Sequence, residues 1–398
     1  MNIKLSSLLE RFAEPETLKM AKLGRELRAQ GIDVIDLSLG EPDFDTPVHI
    51  KEAVKKAVDD NYSHYTPVSG FPDLREAVCT KLKRDNGLAY AQENIVVSTG
   101  AKQSLANVIL ALVDQGDEVI IPAPFWVTYS ELVKIAGGIP VILPTRREDG
   151  YKLSAAELEK AINSRSKVFL FSSPCNPSGS VYSYNELEKL AAVFEKHPGL
   201  FIISDEIYEY INFVGKHESI AQFDSIKDRV IIVNGLSKGY AMTGYRLGYI
   251  AAHPVIAKAC EKLQGQFTSG ANAVTQRAAI EALVGDQQPT RIMNEEFRKR
   301  KQRVLELIAE IPGWKLAEPD GAFYVFPDVS AYFGRSDGKE ILHNADDLCM
   351  YLLNTAHVST VTGRAFGTPE CIRLSFANSL EKIEEAYKRI KKALADLK

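Results

Sequence analysis

Between positions 167 and 204 the chain reads Lys167-Val-Phe-Leu-Phe171, then Ser172-Ser-Pro-Cys-Asn-Pro-Ser-Gly179, then a helical stretch from about 185 to 196, then Leu200-Phe-Ile-Ile-Ser204. Unbroken apolar runs separated by an amphipathic helix are the pattern of neighbouring parallel strands buried on both faces. The alternation extends both ways. Upstream, Asn94-Ile-Val-Val-Ser98, Glu118-Val-Ile-Ile121 and Pro140-Val-Ile-Leu143 read as strands, with helices over 101–113 and near 127–136. Downstream, Arg229-Val-Ile-Ile-Val233 is another. The pattern predicts an α/β fold with a mostly parallel sheet flanked by helices.

The two ends read differently. A charged amphipathic helix over 18–30 stops at Gly31, and Val34–Leu37 reads as a strand. From about 295 a long helix rich in both charges leads to Trp314, then to strands near Ala322-Phe-Tyr-Val-Phe326 and Ile372-Arg-Leu-Ser-Phe376. A Lys- and Glu-laced helix over 380–397 follows. The expected organisation is a large α/β domain over 46–290 and a smaller α+β domain assembled from 1–45 and 291–398.

Composition narrows the function. With 48 Lys and Arg against 52 Asp and Glu, the formal charge is −4 over 398 residues, without the basic excess that phosphate neutralisation demands of a nucleic-acid binder. At 45% hydrophobic and 25% charged, the chain is ordinary globular protein. No apolar run approaches membrane-span length, and the N-terminus is too charged after Leu9 for a secretory signal. The five cysteines are scattered, with neither a disulfide framework nor metal-ligand spacing. A cytoplasmic location is expected, with no metal, nucleic-acid or membrane partner.

In parallel sheets, ligands bind beyond the carboxyl ends of the strands. Four such ends stand out. Ser98-Thr-Gly-Ala-Lys102 enters a helix, and reads either as a bare turn or as an anion site at a helix N-terminus. Asn176 sits between two prolines and before Gly179, in an ordinary turn or a rigidly held amide. Asp205 follows a buried strand, as a helix cap or as a carboxylate awaiting a cation. Asn234-Gly-Leu-Ser-Lys238 ends the next strand, and its lysine is either a surface residue or a nucleophilic amine of lowered pKa.

The run Gly235-Leu-Ser-Lys-Gly-Tyr-Ala-Met-Thr-Gly-Tyr-Arg-Leu-Gly248 resembles the lysine signature of the class I aminotransferases, which use pyridoxal 5′-phosphate (PLP). The resemblance covers nearly the whole chain. It includes Gly40-Glu-Pro-Asp-Phe44, Tyr65, Gly100-Ala-Lys-Gln103, Trp126, Asn176-Pro-Ser-Gly179, Asp205-Glu-Ile-Tyr208 and Arg373-Leu-Ser-Phe376 in the family's order and spacing. It implies the aspartate aminotransferase-like fold of PLP-dependent transferases, with a seven-stranded sheet.

It also implies roles. Lys238 would hold PLP as a Schiff base and then move the Cα proton. Asp205 would pair with the pyridine nitrogen, Tyr208 and Asn176 would bond the ring oxygen, and Trp126 would stack on the ring. Gly100, Ala101, Lys102, Ser237 and Arg246 would bind the phosphate. The signature takes serine or glycine at 235, so Gly235 would omit one phosphate bond unless Ser237 replaces it. Tyr65 would reach the neighbouring subunit's phosphate, which implies a homodimer. Arg373 would clamp the substrate α-carboxylate, with Gly40 letting the backbone approach it; Trp126 and Asn176 would also touch substrate.

For substrate, the pattern is similar to the bacterial aspartate aminotransferase subgroup. There a lysine at the place of Lys102 meets the distal carboxylate, helped by a hydroxyl at the place of Thr17. Transfer of the amino group from L-aspartate to 2-oxoglutarate by a ping-pong cycle is the expectation. One departure is Pro15, where relatives often have serine. Similar motifs also serve prephenate, aromatic or broad-specificity aminotransferases. A PLP-dependent β-lyase of the same fold, and a non-enzymatic sensor domain, are further alternatives. Lys102 argues against the lyase. Against the sensor, the stretch before Gly40 reads as one helix and a strand rather than a DNA-binding domain.

Overall fold

A computed structural model describes residues 3–13 and 16–398, with residues 16–18 described by their backbone alone. In chain order the first elements are α1 (Glu16–Ala29), β1 (Ile35–Asp36), α2 (Val48–Asp59) and α3 (Pro72–Lys81). Then come β2 (Ile95–Ser98), α4 (Ala101–Leu112), β3 (Glu118–Ala123), α5 (Thr128–Ala136), β4 (Ile139–Pro144) and α6 (Ala155–Ala161). Next are β5 (Ser166–Ser172), α7 (Tyr184–Lys196), β6 (Phe201–Asp205), β7 (Val230–Gly235), β8 (Gly248–Ala251), α8 (Pro254–Phe267) and α9 (Ala273–Val284). The chain closes with α10 (Gln288–Ala309), β9 (Tyr324–Val325), α11 (Ala345–Tyr351), β10 (Val358–Ser359), β11 (Val361–Thr362), β12 (Ile372–Ser375) and α12 (Leu380–Ala395).

Local chemistry explains the crossovers. Helix α7 starts on a capping box, in which the Ser183 hydroxyl accepts from the Glu186 N–H and the Glu186 carboxylate accepts from the Ser183 N–H. Its buried Leu187, Leu190, Ala191 and Phe194 fall at helical spacing and face the sheet. Helix α6 uses the same device through Ser154 and Glu157.

The sheet has seven strands in the order β2-β8-β7-β6-β5-β3-β4. All pairings are parallel except those of β8, which runs antiparallel to β2 and β7. Strand β4 lies outward of β3, and β5 to β7 lie on its other side, so the winding reverses beside β3. The carboxyl ends of β3, β5, β6 and β7 therefore open on a common crevice.

A second core packs on that end. It joins Phe297, Val304 and Ile308 of α10 to Tyr324, Leu348, Leu374, Ile383 and Ile390. Its sheets are small: β11-β12-β9 is antiparallel, and β1 pairs in parallel with β10. Leu37 N–H donates to Ser359 O, and Ser375 N–H to Leu37 O, which draws the 37–41 loop against β12.

The strand expected over 322–326 shortens to Tyr324–Val325, because Phe323 and Phe326 turn into aromatic clusters instead. Strand β8, and helices α2, α3, α8 and α9, were not apparent from the sequence. In β8 the reason is Gly248, whose position leaves only a short apolar run. A Cβ there would lie 2.2 Å from Ala101 N and 2.6 Å from Gly100 C, both backbone atoms. Gly248→Ala therefore forces β8 away from the start of α4. The expected loss is about 1–3 kcal/mol of unfolding free energy in urea melts; an unchanged midpoint would contradict the close approach.

Candidate active site

The crevice holds a cleft of about 340 Å³. Eleven of the sequence-singled residues line it: Gly40, Ala101, Lys102, Trp126, Asn176, Asp205, Tyr208, Ser237, Lys238, Arg246 and Arg373. Each sits where the topology delivers it, just beyond a strand end or on the second core.

The β6 end supplies Asp205, which is 3% exposed. Its Oδ2 accepts from the Tyr129 hydroxyl at 2.6 Å and its Oδ1 from the Ile207 N–H at 3.2 Å. Burial pushes its pKa up to about 6, opposed by the Tyr129 bond. Tyr208 follows, its hydroxyl 2.8 Å from that of Tyr324. The β7 end leads to Lys238, whose ammonium bonds the Gly40 carbonyl. Desolvation brings this lysine down to about 8; Glu41 opposes the shift, while Arg373 and Arg246 add to it. An amine with that pKa has a substantial unprotonated, nucleophilic fraction near neutrality.

The β2 end turns at Gly100, with φ +84°, into α4. A Cβ on Gly100 would meet Arg246 Nη2 at 2.6 Å, so only glycine lets that guanidinium lie beside the turn. The first N–H groups of α4, at Ala101 and Lys102, have no carbonyl a turn earlier to bond. Arg246 is itself left-handed, φ +55°, and its Nη1 donates to Thr243 O at 2.9 Å. These donors and the helix dipole make a cradle for an anion.

Arg373 of β12 is 2% exposed. Its Nη1 donates to Asn176 Oδ1 at 3.0 Å and its Nη2 to Ser38 O at 2.5 Å, and its guanidinium lies 4.5 Å from the Tyr324 ring centroid. Its Nε has no partner, and among the described residues no carboxylate forms an ion pair with it. A buried guanidinium with spare donors calls for an anionic ligand. Lys102 stands at the cleft mouth with its Nζ 4.9 Å from the Trp126 centroid. Surrounding apolar atoms and the Arg246 charge lower its pKa.

The profile of the aminotransferase class I and II family matches residues 32–390. This chain belongs to that family. The family uses PLP. Over 397 residues the aminotransferase is 43% identical to the aspartate/prephenate aminotransferase of Nitrosomonas europaea, covering 99% of this chain and 100% of the relative. The aspartate aminotransferase structure from Rhizobium meliloti superposes with a TM-score of 0.96 at 38% identity, covering 100% of both chains. The Thermus thermophilus aspartate aminotransferase structure with maleate gives 0.92 at 35% identity, covering 98% of this chain and 100% of that one.

Two residues singled out from the sequence lie outside the cleft lining. Gly100 sits behind the cleft wall, against Arg246. Tyr65 is fully exposed, in a separate depression shared with Tyr62, His64 and Asn272. Thr17 and Pro15 fall outside the described side chains. Gly235 acquires a packing explanation beside what its signature implied. A Cβ there would lie 2.8 Å from Leu247 O and 2.9 Å from Gly248 Cα, so the β7–β8 pairing excludes a serine, while Ser237 does line the cleft. Gly40 is also fixed by packing: a Cβ would meet the Tyr324 hydroxyl at 2.5 Å.

Sequence reasoning missed Tyr129, Tyr324 and Glu41. Tyr129 lies one helical turn beyond Trp126, and that spacing was the available signal. Glu41 accepts from the Thr243 hydroxyl at 2.9 Å, closing the cleft mouth between the 37–41 loop and the Arg246 loop.

Tyr129→Phe removes the bond that holds the Asp205 pKa down, so that pKa rises further in the folded protein. A carboxyl whose folded pKa is raised loses stability as pH climbs through that value. The variant's deficit against wild type is therefore small below pH 5 and opens as pH rises through about 6, reaching about 1–3 kcal/mol. Urea melts across pH 5–8 measure it; a deficit independent of pH would contradict the assignment.

Proposed function

We propose that this aminotransferase moves the α-amino group of L-aspartate to 2-oxoglutarate, giving oxaloacetate and L-glutamate, with PLP as its bound cofactor. The observation that carries the reading is a pair of cations, Arg373 and Lys102, facing the same cleft as the Lys238 amine. Two cations in one cleft suit a dicarboxylic substrate. The relatives from Rhizobium meliloti and Nitrosomonas europaea, both named for aspartate, support it.

The residues fit the cofactor. The Gly100–Arg246 cradle suits a phosphate, and Asp205, held by a phenol rather than by a neighbouring cation, suits a protonated ring nitrogen. PLP supplies an aldehyde that bonds an amine and a ring that withdraws electrons from the substrate Cα. Lys238 Nζ would bond that aldehyde and, once displaced by the amino acid, take the proton from Cα. Asp205 would keep the ring nitrogen protonated. Tyr208 and the Asn176 amide N–H₂ would donate to the ring oxygen, and Trp126 would cover one face. Ala101, Lys102, Ser237 and Arg246 would hold the phosphate. Arg373 would orient the α-carboxylate through a planar fork, and Lys102 would meet the distal one.

The same site is expected to act in turn on amino acid and keto acid, a ping-pong cycle. A second reading adds prephenate as amino acceptor, as the name of the Nitrosomonas relative suggests. Prephenate also carries two carboxylates. A coupled assay with aspartate and each acceptor separates the readings. No oxaloacetate from aspartate and 2-oxoglutarate in PLP-replete protein would refute the first. Lys102→Met is expected to lower kcat/KM for aspartate about 10- to 100-fold while sparing alanine. Equal losses for both amino acids would remove Lys102 from distal-carboxylate recognition.

We also propose a homodimer in which Tyr65 completes the partner's phosphate site. Tyr65 is wholly exposed, which is unusual for so large an aromatic ring. Its depression adjoins, through Asn272, the one that borders Arg246. Light scattering is expected to give twice the chain mass, and Tyr65→Ala to weaken PLP retention. A monomer that keeps PLP fully would overturn this arrangement.

A further inference from the structure

Behind the carboxyl edge of the sheet, away from the cleft, lies a buried ionic cluster that the chemistry above does not use. Its centre is Glu209, 6% exposed, paired with Lys81 of α3, which is 0% exposed. Glu209 Oε1 also accepts from Asn234 Nδ2 at 3.0 Å, and its Oε2 from Asn86 Nδ2 at 3.1 Å. Lys81 Nζ donates in addition to Asn86 Oδ1 at 2.8 Å. Asn234 Oδ1 accepts from the Gly235 N–H at 2.7 Å. Glu206 and His217 stand next to the cluster, 3.0 Å apart, and could join Glu209 around a metal ion. Lys81, Asn234, Ser204 and Ser219 already occupy those carboxylates, so the arrangement is an ion-pair network.

The position of this network in the chain gives it a role. Glu209 adjoins Tyr208. Asn234 lies four residues before Lys238. The residue after Glu209 grips the other side of the lysine: Tyr210 Cδ2 would be 2.5 Å from a Cβ on Gly239, and its ring centroid is 5.3 Å from that of Tyr240. Tyr210 is anchored in turn to α3's end, its hydroxyl donating to Asp85 Oδ2 at 2.6 Å and Lys81 Nζ lying 5.3 Å from its ring. The segment that carries Lys238 is thus held at both ends by groups fastened to one helix end.

We infer that the Lys81–Glu209–Asn234 cluster is a positioning brace for Lys238 and Tyr208. It touches neither substrate nor cofactor; it fixes the backbone from which both side chains enter the cleft. The inference rests on the PLP reading of the site for its spectroscopic and kinetic arms only. A displacement of about 1 Å in a reacting group costs on the order of 10²-fold in rate.

Two variants of the full chain test the brace. Lys81→Met/Glu209→Gln removes both charges together, avoiding a buried unpaired ion. Asn234→Ala cuts only the link toward Lys238. Amide hydrogen exchange on cofactor-free protein is expected to rise in 206–211 and 234–241, with the rest of the β-sheet unchanged. With PLP bound, the pH midpoint of its visible absorbance is expected to move by about half a unit or more. Under the same conditions kcat should fall about 10- to 100-fold with little change in KM. Whichever variant folds decides the matter. Unchanged exchange in both segments, or a lowered Tm with wild-type spectrum and kcat, overturns the brace. Wild-type protein that takes up no PLP refutes the proposed function, and the exchange arm still judges the brace.

Discussion

A carboxylate buried at the end of a strand is the constraint around which the cleft is arranged. Asp205 has left water almost completely, and its two protein donors are a phenol and one backbone N–H. That is poor compensation for a full negative charge, and it shows as a proton held up to about pH 6. The lysine across the cleft has the opposite problem. Its ammonium is desolvated and sits in the field of two guanidiniums, so it gives up its proton early. Each group is left electrically incomplete by the protein alone. A ligand bearing a cationic ring nitrogen and an electrophilic carbon satisfies both at once.

The two cores share this burden. Strand ends of the seven-stranded sheet bring Trp126, Asn176, Asp205 and Lys238, while the second core brings Tyr324 and Arg373. The Arg373 guanidinium spans the seam, bonding Asn176 on one side and the Ser38 carbonyl on the other. Its orientation is therefore set by the protein itself, with no ligand needed to fix it.

The fold was legible because buried parallel strands leave unbroken apolar runs, and six of the seven could be placed from them. The seventh, β8, escaped because its pairing depends on an absent side chain: Gly248 is chosen by contact with Ala101, 147 positions earlier. The site was legible where a residue type is rare in its local setting, as with a lysine in a glycine-rich turn or an aspartate after Ile202-Ile203-Ser204. Tyr129, Tyr324 and Glu209 were not, because a tyrosine in a helix or a glutamate after a tyrosine is unremarkable locally. Their partners are supplied by tertiary structure: Tyr129 meets Asp205 across 76 positions, and Tyr208 meets Tyr324 across 116. The packing reason for Gly235 was not legible for a related reason. The strand that leaves no room for a Cβ there is its tertiary neighbour β8.

Gly100, Gly235 and Gly248 come from three separate stretches, yet the third touches both of the others. Their bare backbones nest, and the curvature of the anion-binding turn is the shape of that nest. A side chain at Gly235 or Gly248 would press on main chain of a neighbouring member, and one at Gly100 would press on the Arg246 guanidinium. For anyone building a library around this cleft, these three codons are best frozen, and diversity belongs at lining positions whose side chains, not main chain, face the cavity.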